Sequence, residues 1–131
     1  MEMQIVFPGQ MRVDALVDDL VITTNQDGSA PSPFMLFLAS MGTCAGVYVL
    51  GFCKQRGLST EGIRIVQHTR SNPLTHMVEN VEIDIQLPLD FPEQYKSAVI
   101  RSAELCAVKK HLENPPTFDV HTSVVQPEML K

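Results

Sequence analysis

From Pro31 to Cys53 the chain carries no charged residue, and that run constrains the fold more than any other feature. A helix apolar on every side must be covered on every side, either by a protein core or by a bilayer. Its ends read as helix ends. Ser32 can cap the first turn, Pro33 falls at the first helical position where a missing N–H costs nothing, and Gly57 is a stop after Lys54 and Arg56. A membrane span has the same length, and Gly42-Thr43-Cys44-Ala45-Gly46 has the small-residue spacing of paired membrane helices. Against a span, Ser40 and Thr43 dilute the segment, no aromatic belt flanks it, and the sequences on both sides look like sheet that must pack on something.

Ahead of this helix, short strands are expected over Met3 to Phe7, near Met11 to Ala15 and over Leu20 to Thr24, with a bend at Pro8-Gly9 and a loop from Asn25 to Ser32. Beyond it, Ile63 to Arg70 and Met77 to Leu87 flank a turn at Ser71-Asn72-Pro73. Val81, Ile83, Ile85 and Leu87 alternate with Glu82, Asp84 and Gln86, the pattern of a half-buried antiparallel hairpin. A second helix is expected from Pro92 to Leu112, with Tyr95, Val99, Ala103 and Cys106 on one face and Asn114-Pro115-Pro116 as its end. A last strand is expected over Phe118 to Val124. The order predicts an α+β fold, helices on an antiparallel sheet, in one domain over residues 1–131, because 131 residues supply one core and not two.

The formal net charge of -5, with no Lys/Arg cluster, excludes a nucleic-acid backbone as partner. The start of the chain lacks a basic segment followed by an apolar one, so a cytoplasmic location is expected, where thiols are kept reduced. Three cysteines are an odd count and too few for a disulfide scaffold, so any bridge would be transient and catalytic. No metal is expected, because His68, His76, His111 and His121 show no ligand spacing. No Ser-His-Asp hydrolase is expected either, because Gly-x-Ser-x-Gly is absent.

The cysteines therefore hold the chemical interest. Cys44 and Cys53 are nine positions apart, which at about 100° per residue puts them on opposite sides of a helix. They cannot form a working pair, and Cys53 reads as core. Taken alone, Cys44 reads the same way, since free cysteine is among the most buried residue types. Cys106 lies on the apolar face of the second helix, so its approach to Cys44 is open.

The segments Ser32-Pro33-Phe34-Met35-Leu36-Phe37-Leu38-Ala39-Ser40-Met41-Gly42-Thr43-Cys44 and Leu105-Cys106-Ala107-Val108-Lys109-Lys110, with Phe7-Pro8-Gly9 and Arg56-Gly57-Leu58, resemble the OsmC/Ohr family of thiol peroxidases. The resemblance spans nearly the whole chain. It implies an OsmC-like fold with a long buried central helix and a second amphipathic helix, in an intertwined homodimer with reactive cysteines near the subunit interface. The implied chemistry uses no cofactor. Cys44 attacks the O–O bond of a small organic hydroperoxide and becomes a sulfenic acid, Cys106 resolves it as a disulfide, and a dithiol reductant restores both thiols. The family arginine that holds the thiolate corresponds to Arg12, and the glutamate that fixes this arginine falls on Phe34. That departure keeps a second reading open: a divergent OsmC-like protein acting as a redox sensor or as a binder of small apolar ligands. A membrane-anchored protein is a third.

Ionisation alone cannot make such a site fast. An ordinary cysteine, with pKa about 8.5, is a few per cent thiolate at neutral pH, so complete ionisation gains at most about 30-fold. Any further acceleration comes from aligning the peroxide and stabilising the departing alkoxide.

Overall fold

The computed structural model describes residues 1–125. Three strands, β1 (Gln4–Gly9), β2 (Arg12–Val17) and β3 (Leu20–Asn25), precede the central helix α1 (Pro33–Gln55). The hairpin β4 (Arg64–Ser71) and β5 (Val78–Gln86) follows, then a 3₁₀ turn over Glu93–Tyr95 and the helices α2 (Lys96–Glu104) and α3 (Ala107–Glu113).

The strands form two antiparallel sheets, β1-β2-β3 and β4-β5, where the sequence suggested one. In the first, β2 pairs with β3 without a break from Arg12 opposite Asn25 to Val17 opposite Leu20. The expected bend at Pro8-Gly9 is a bulge within β1, between Val6 and Gly9. Proline is tolerated there because β1 is an edge strand. The chain reverses instead at Gln10-Met11, and Gly9 (φ 148°) and Gln10 (φ 52°) take the left-handed conformations that the tight turn needs.

The ends of α1 form as expected. Ser32 Oγ accepts the Met35 N–H at 3.2 Å and Pro33 occupies the first turn. At the other end Gly57 has φ 65°, its N–H donates to the Lys54 carbonyl at 3.3 Å, and the Leu58 N–H donates to the Cys53 carbonyl at 2.9 Å. These two bonds make a Schellman motif, and Leu58 packs on the core beneath it. That core is Val49, Phe52, Cys53, Phe91 and Val99, joined by Ile63, Ile65, Ile85, Leu87 and Tyr95. Gln67 on β4 reaches across α1 and donates from Nε2 to the Leu38 carbonyl at 2.9 Å, filling space that a side chain at Gly42 would need.

Within one chain α1 is covered on one face only, by β4, α2 and α3. Phe34, Met35, Val47 and Leu50 are exposed. A two-stranded sheet and two short helices cannot wrap a helix with an apolar surface all round. The helix is long and apolar enough to cross a membrane by length and composition, yet its packed face carries the core of the protein. The first sheet stands apart, its strands contacting chiefly one another.

Two further expectations differ. The helix expected from Pro92 to Leu112 breaks at Cys106, whose φ of −44° and ψ of 125° leave the helical region. The N–H groups of Leu105 and Cys106 bond three residues back, to Ser102 and Ala103, so α2 tightens and ends before α3 begins. The strand expected over Phe118 to Val124 is absent among the described residues, and Phe118, Val120 and Val124 are exposed. An alternating segment becomes a strand only against a partner edge, and among the described residues it pairs with none.

Candidate functional site

The break between α2 and α3 creates the site. Val99 packs into the core and Ser102 Oγ donates to the Tyr48 carbonyl at 3.1 Å, which seats α2 against α1. Cys106, at the break, is then buried beside Met41 and Cys44 of α1. Cys44 is half-buried and Cys106 nearly sealed.

The two thiols lie close enough for each to shift the other's ionisation, and their surroundings push their acidities apart. The Cys44 thiol is lowered below its ordinary range, first by the Val108 N–H, next by the Cys106 thiol donating to it, and further by the Ala107 N–H, with burial opposing. All three donors come from the break and the first turn of α3, where backbone N–H groups have no partner within the helix. Cys106 moves the opposite way, raised mainly by burial and then by donating its proton to Cys44. Its other acceptor is the Met41 carbonyl, at a long 4.0 Å. Of the two, Cys44 is therefore the thiol that ionises first, and Cys106 is the one that keeps its proton longer. Cys53 is fully buried in the core and raised by desolvation, as befits an inert thiol.

Arg12 is not brought to this pair within one chain. It lies on β2, and none of the groups that shift Cys44 is a cation. Its guanidinium binds Asp14 instead: Nε donates to Oδ1 at 3.1 Å and to Oδ2 at 3.2 Å, and Nη2 donates to Oδ2 at 2.7 Å. Position 34, where the resemblance places an acid, holds an exposed phenylalanine 5.6 Å from the Phe37 ring.

Two backbone donors to Cys44 were not identified from sequence, nor was Asp14, the partner of Arg12. The N–H groups of Ala107 and Val108 depend on a helix break that no glycine or proline marks. Asp14 follows Arg12 at the spacing of strand neighbours on one face, which was a readable signal.

Beside Cys106 an apolar cavity of about 360 Å³ opens between α1, β5 and α3, lined by Phe37, Leu38, Met41, Val81, Ile83 and Leu112, with Lys109 and Glu79 at its polar side. That volume lies at the small end of ligand sites, which begin at about 300 Å³. Among the described residues no group of three or more His, Cys, Asp or Glu side chains could hold a metal ion.

Residues 26–121 match the family model described as OsmC-like protein. No curated protein matches the sequence. Among solved structures, a protein from Psychrobacter arcticus 273-4, named for an osmotic stress and detoxification response, is similar with a TM-score of 0.69 at 18% identity, over 82% of this chain and 85% of that one. An OsmC-like protein from Mycoplasma pneumoniae gives a TM-score of 0.64 at 13% identity, over 87% of each chain. A hypothetical protein from Aquifex aeolicus VF5 gives 0.64 at 18% identity, again over 87% of each. At such identities these likenesses establish the fold alone.

Proposed function

This chain belongs to the OsmC-like protein family, and on that premise we propose that it reduces small organic hydroperoxides, with Cys44 as nucleophile and Cys106 as resolving thiol. The observation that carries the reading is the burial of Cys106 against the helix that bears Cys44, with the two acidities shifted in opposite directions, Cys44 down by hydrogen bonds and Cys106 up by burial. Groups whose surroundings separate their pKa values take the two halves of an acid–base task.

The chemistry then runs in three balanced steps. The Cys44 thiolate attacks one peroxide oxygen, the O–O bond breaks, and Cys44 leaves as sulfenic acid while the alkoxide takes a proton from water and departs as an alcohol. The Cys106 sulfur displaces that hydroxyl, forming the Cys44–Cys106 disulfide, and the Cys106 proton leaves with the hydroxyl as water. An external dithiol returns two electrons and two protons and departs as its own disulfide. The cavity beside Cys106 gives an apolar organic group somewhere to lie.

The working unit in this proposal is a homodimer of single-domain chains, residues 1–131, in the cytoplasm, with no membrane, metal or nucleic acid involved. The open face of α1, the first sheet standing apart and the exposed apolar segment near 118–124 all favour a second copy as cover. Arg12, remote from Cys44 in its own chain, would then act on the thiolate of the other.

One equivalent of tert-butyl hydroperoxide, followed by peptide mapping without reductant, tests the assignment. A Cys44–Cys106 disulfide with Cys53 free is expected. The Cys106→Ser variant should stop at sulfenic acid and drift to sulfinic acid in excess peroxide, and Cys44→Ser should consume none. If Cys44→Ser keeps the wild-type rate, or neither protein reacts, the alternative takes over: a redox sensor or small apolar ligand binder on the same fold. The observation that favours that alternative is Phe34, which leaves the start of α1 without a carboxylate.

A further inference from the structure

The pair Arg12–Asp14 is an unusual use of a thin sheet. Asp14 sits in the middle strand, opposite Val6 on β1 and Thr23 on β3, and its side chain is only 4% exposed. Arg12, opposite Gly9 and Asn25, is 46% exposed. None of the four cross-strand partners ionises, so Arg12 is the cation that satisfies Asp14 among the described residues. A half-exposed ion pair contributes little to folding, and a shielded carboxylate costs desolvation. The arrangement gains direction rather than stability. Asp14 engages the guanidinium along its Nε and Nη2 edge, which leaves three of its five N–H donors facing away from the carboxylate.

We infer that Asp14 is a positioning residue of the thiol site, holding the Arg12 guanidinium by one edge so that the opposite edge is presented to the Cys44 thiolate of a second copy of this chain. The inference rests on the peroxidase reading above, in which Arg12 serves the thiolate across the dimer. It also supplies an anchor for Arg12 where Phe34 supplies none. Without it, a long side chain on the open face of a strand spreads over many rotamers, and its charge is spread with it. Asp14 is ionised well below neutrality, because the Arg12 hydrogen bonds hold its carboxyl below the usual range. Its own protonation therefore falls far from the thiol titration, and a change near neutral pH reports the guanidinium.

The test measures iodoacetamide labelling of Cys44 against pH in the intact dimer, for wild type, Arg12→Met, Asp14→Asn, Asp14→Glu and the double variant. Arg12→Met should move the profile to higher pH and slow labelling at neutral pH about tenfold, a shift of one pKa unit. Asp14→Asn should move it the same way by a smaller amount, Asp14→Glu should restore most of the rate, and the double variant should be no slower than Arg12→Met. If Arg12→Met shifts the profile and Asp14→Asn does not, the positioning role is wrong while the peroxidase reading stands. If neither shifts it, Arg12 leaves the site and the inference falls with that assignment. Exchange of the Arg12 Nε–H in the wild-type dimer, followed by NMR, needs no variant. Slowed exchange supports the held guanidinium, and exchange as fast as in a free arginine overturns it, even where Asp14→Asn fails to fold.

Discussion

At the residue scale, the groups of its own chain that lower the Cys44 pKa carry no formal charge. The largest influence is the Val108 N–H and the next is the Cys106 thiol. Replacing Cys106 with alanine should therefore raise the Cys44 pKa only partway to its ordinary value, since the backbone donors remain. An alkylation profile that returned fully to that of a free thiol would show that the α3 donors do nothing. The sign for stability follows from the same shift. A thiol with a depressed folded pKa adds stability above its unfolded pKa, and loses it as pH falls through the folded value. Cys106, raised on folding, works against this once it ionises at higher pH. Cys44 and Cys106 were legible in the sequence because each stands in a recognisable local context. The N–H donors were not, since backbone groups leave no mark in a sequence until a break exposes them.

Elements with local punctuation were legible, and elements that depend on distant partners were not. Both ends of α1 follow from Ser32, Pro33 and Gly57. Gly57→Ala should cost about 1 to 2 kcal/mol, because the left-handed conformation at φ 65° opposes any Cβ while nothing else lies within 4 Å of the new methyl. A urea titration should show a lower midpoint at unchanged slope. An unchanged midpoint would mean the motif tolerates alanine by rearranging. Ser32→Ala should lose about 1 kcal/mol by the same measurement, from the one cap bond to Met35. The break at Cys106 obeys no such signal. Leu105-Cys106-Ala107 contains neither glycine nor proline, and Cys106 at the break is buried with its thiol toward the Met41 carbonyl of α1. The alternation from Phe118 to Val124 was equally clear in the sequence, yet a strand is a property of a pair, and among the described residues this segment pairs with none of the sheet edges.

Across the whole molecule, the central helix leaves apolar surface uncovered. The α+β architecture was legible because the order of a long apolar helix, a hairpin and an amphipathic helix permits few alternatives; the division into two sheets was not, since register and alternation fix pairs and not sheets. A helix with one packed face and one bare apolar face, beside a sheet that barely touches the rest of its own chain, has half the contacts it needs. In the proposed homodimer a second copy would supply the other half, and the same contact would carry Arg12 toward a foreign Cys44. Assembly and reactivity are then one property. Val47 lies exposed on the bare face of α1, so Val47→Asp should place an unpaired carboxylate in the interface at a cost of several kcal/mol. That cost weakens the dimer at least about a hundredfold. Light scattering at micromolar concentration should give twice the chain mass for wild type and one chain mass for Val47→Asp, with a folded circular-dichroism spectrum for both. Labelling of Cys44 near neutral pH should slow in the monomer as it does in Arg12→Met. A dimer that survives Val47→Asp would move the interface elsewhere, and a monomer that labels as fast as wild type would separate the thiol from the partner's arginine altogether.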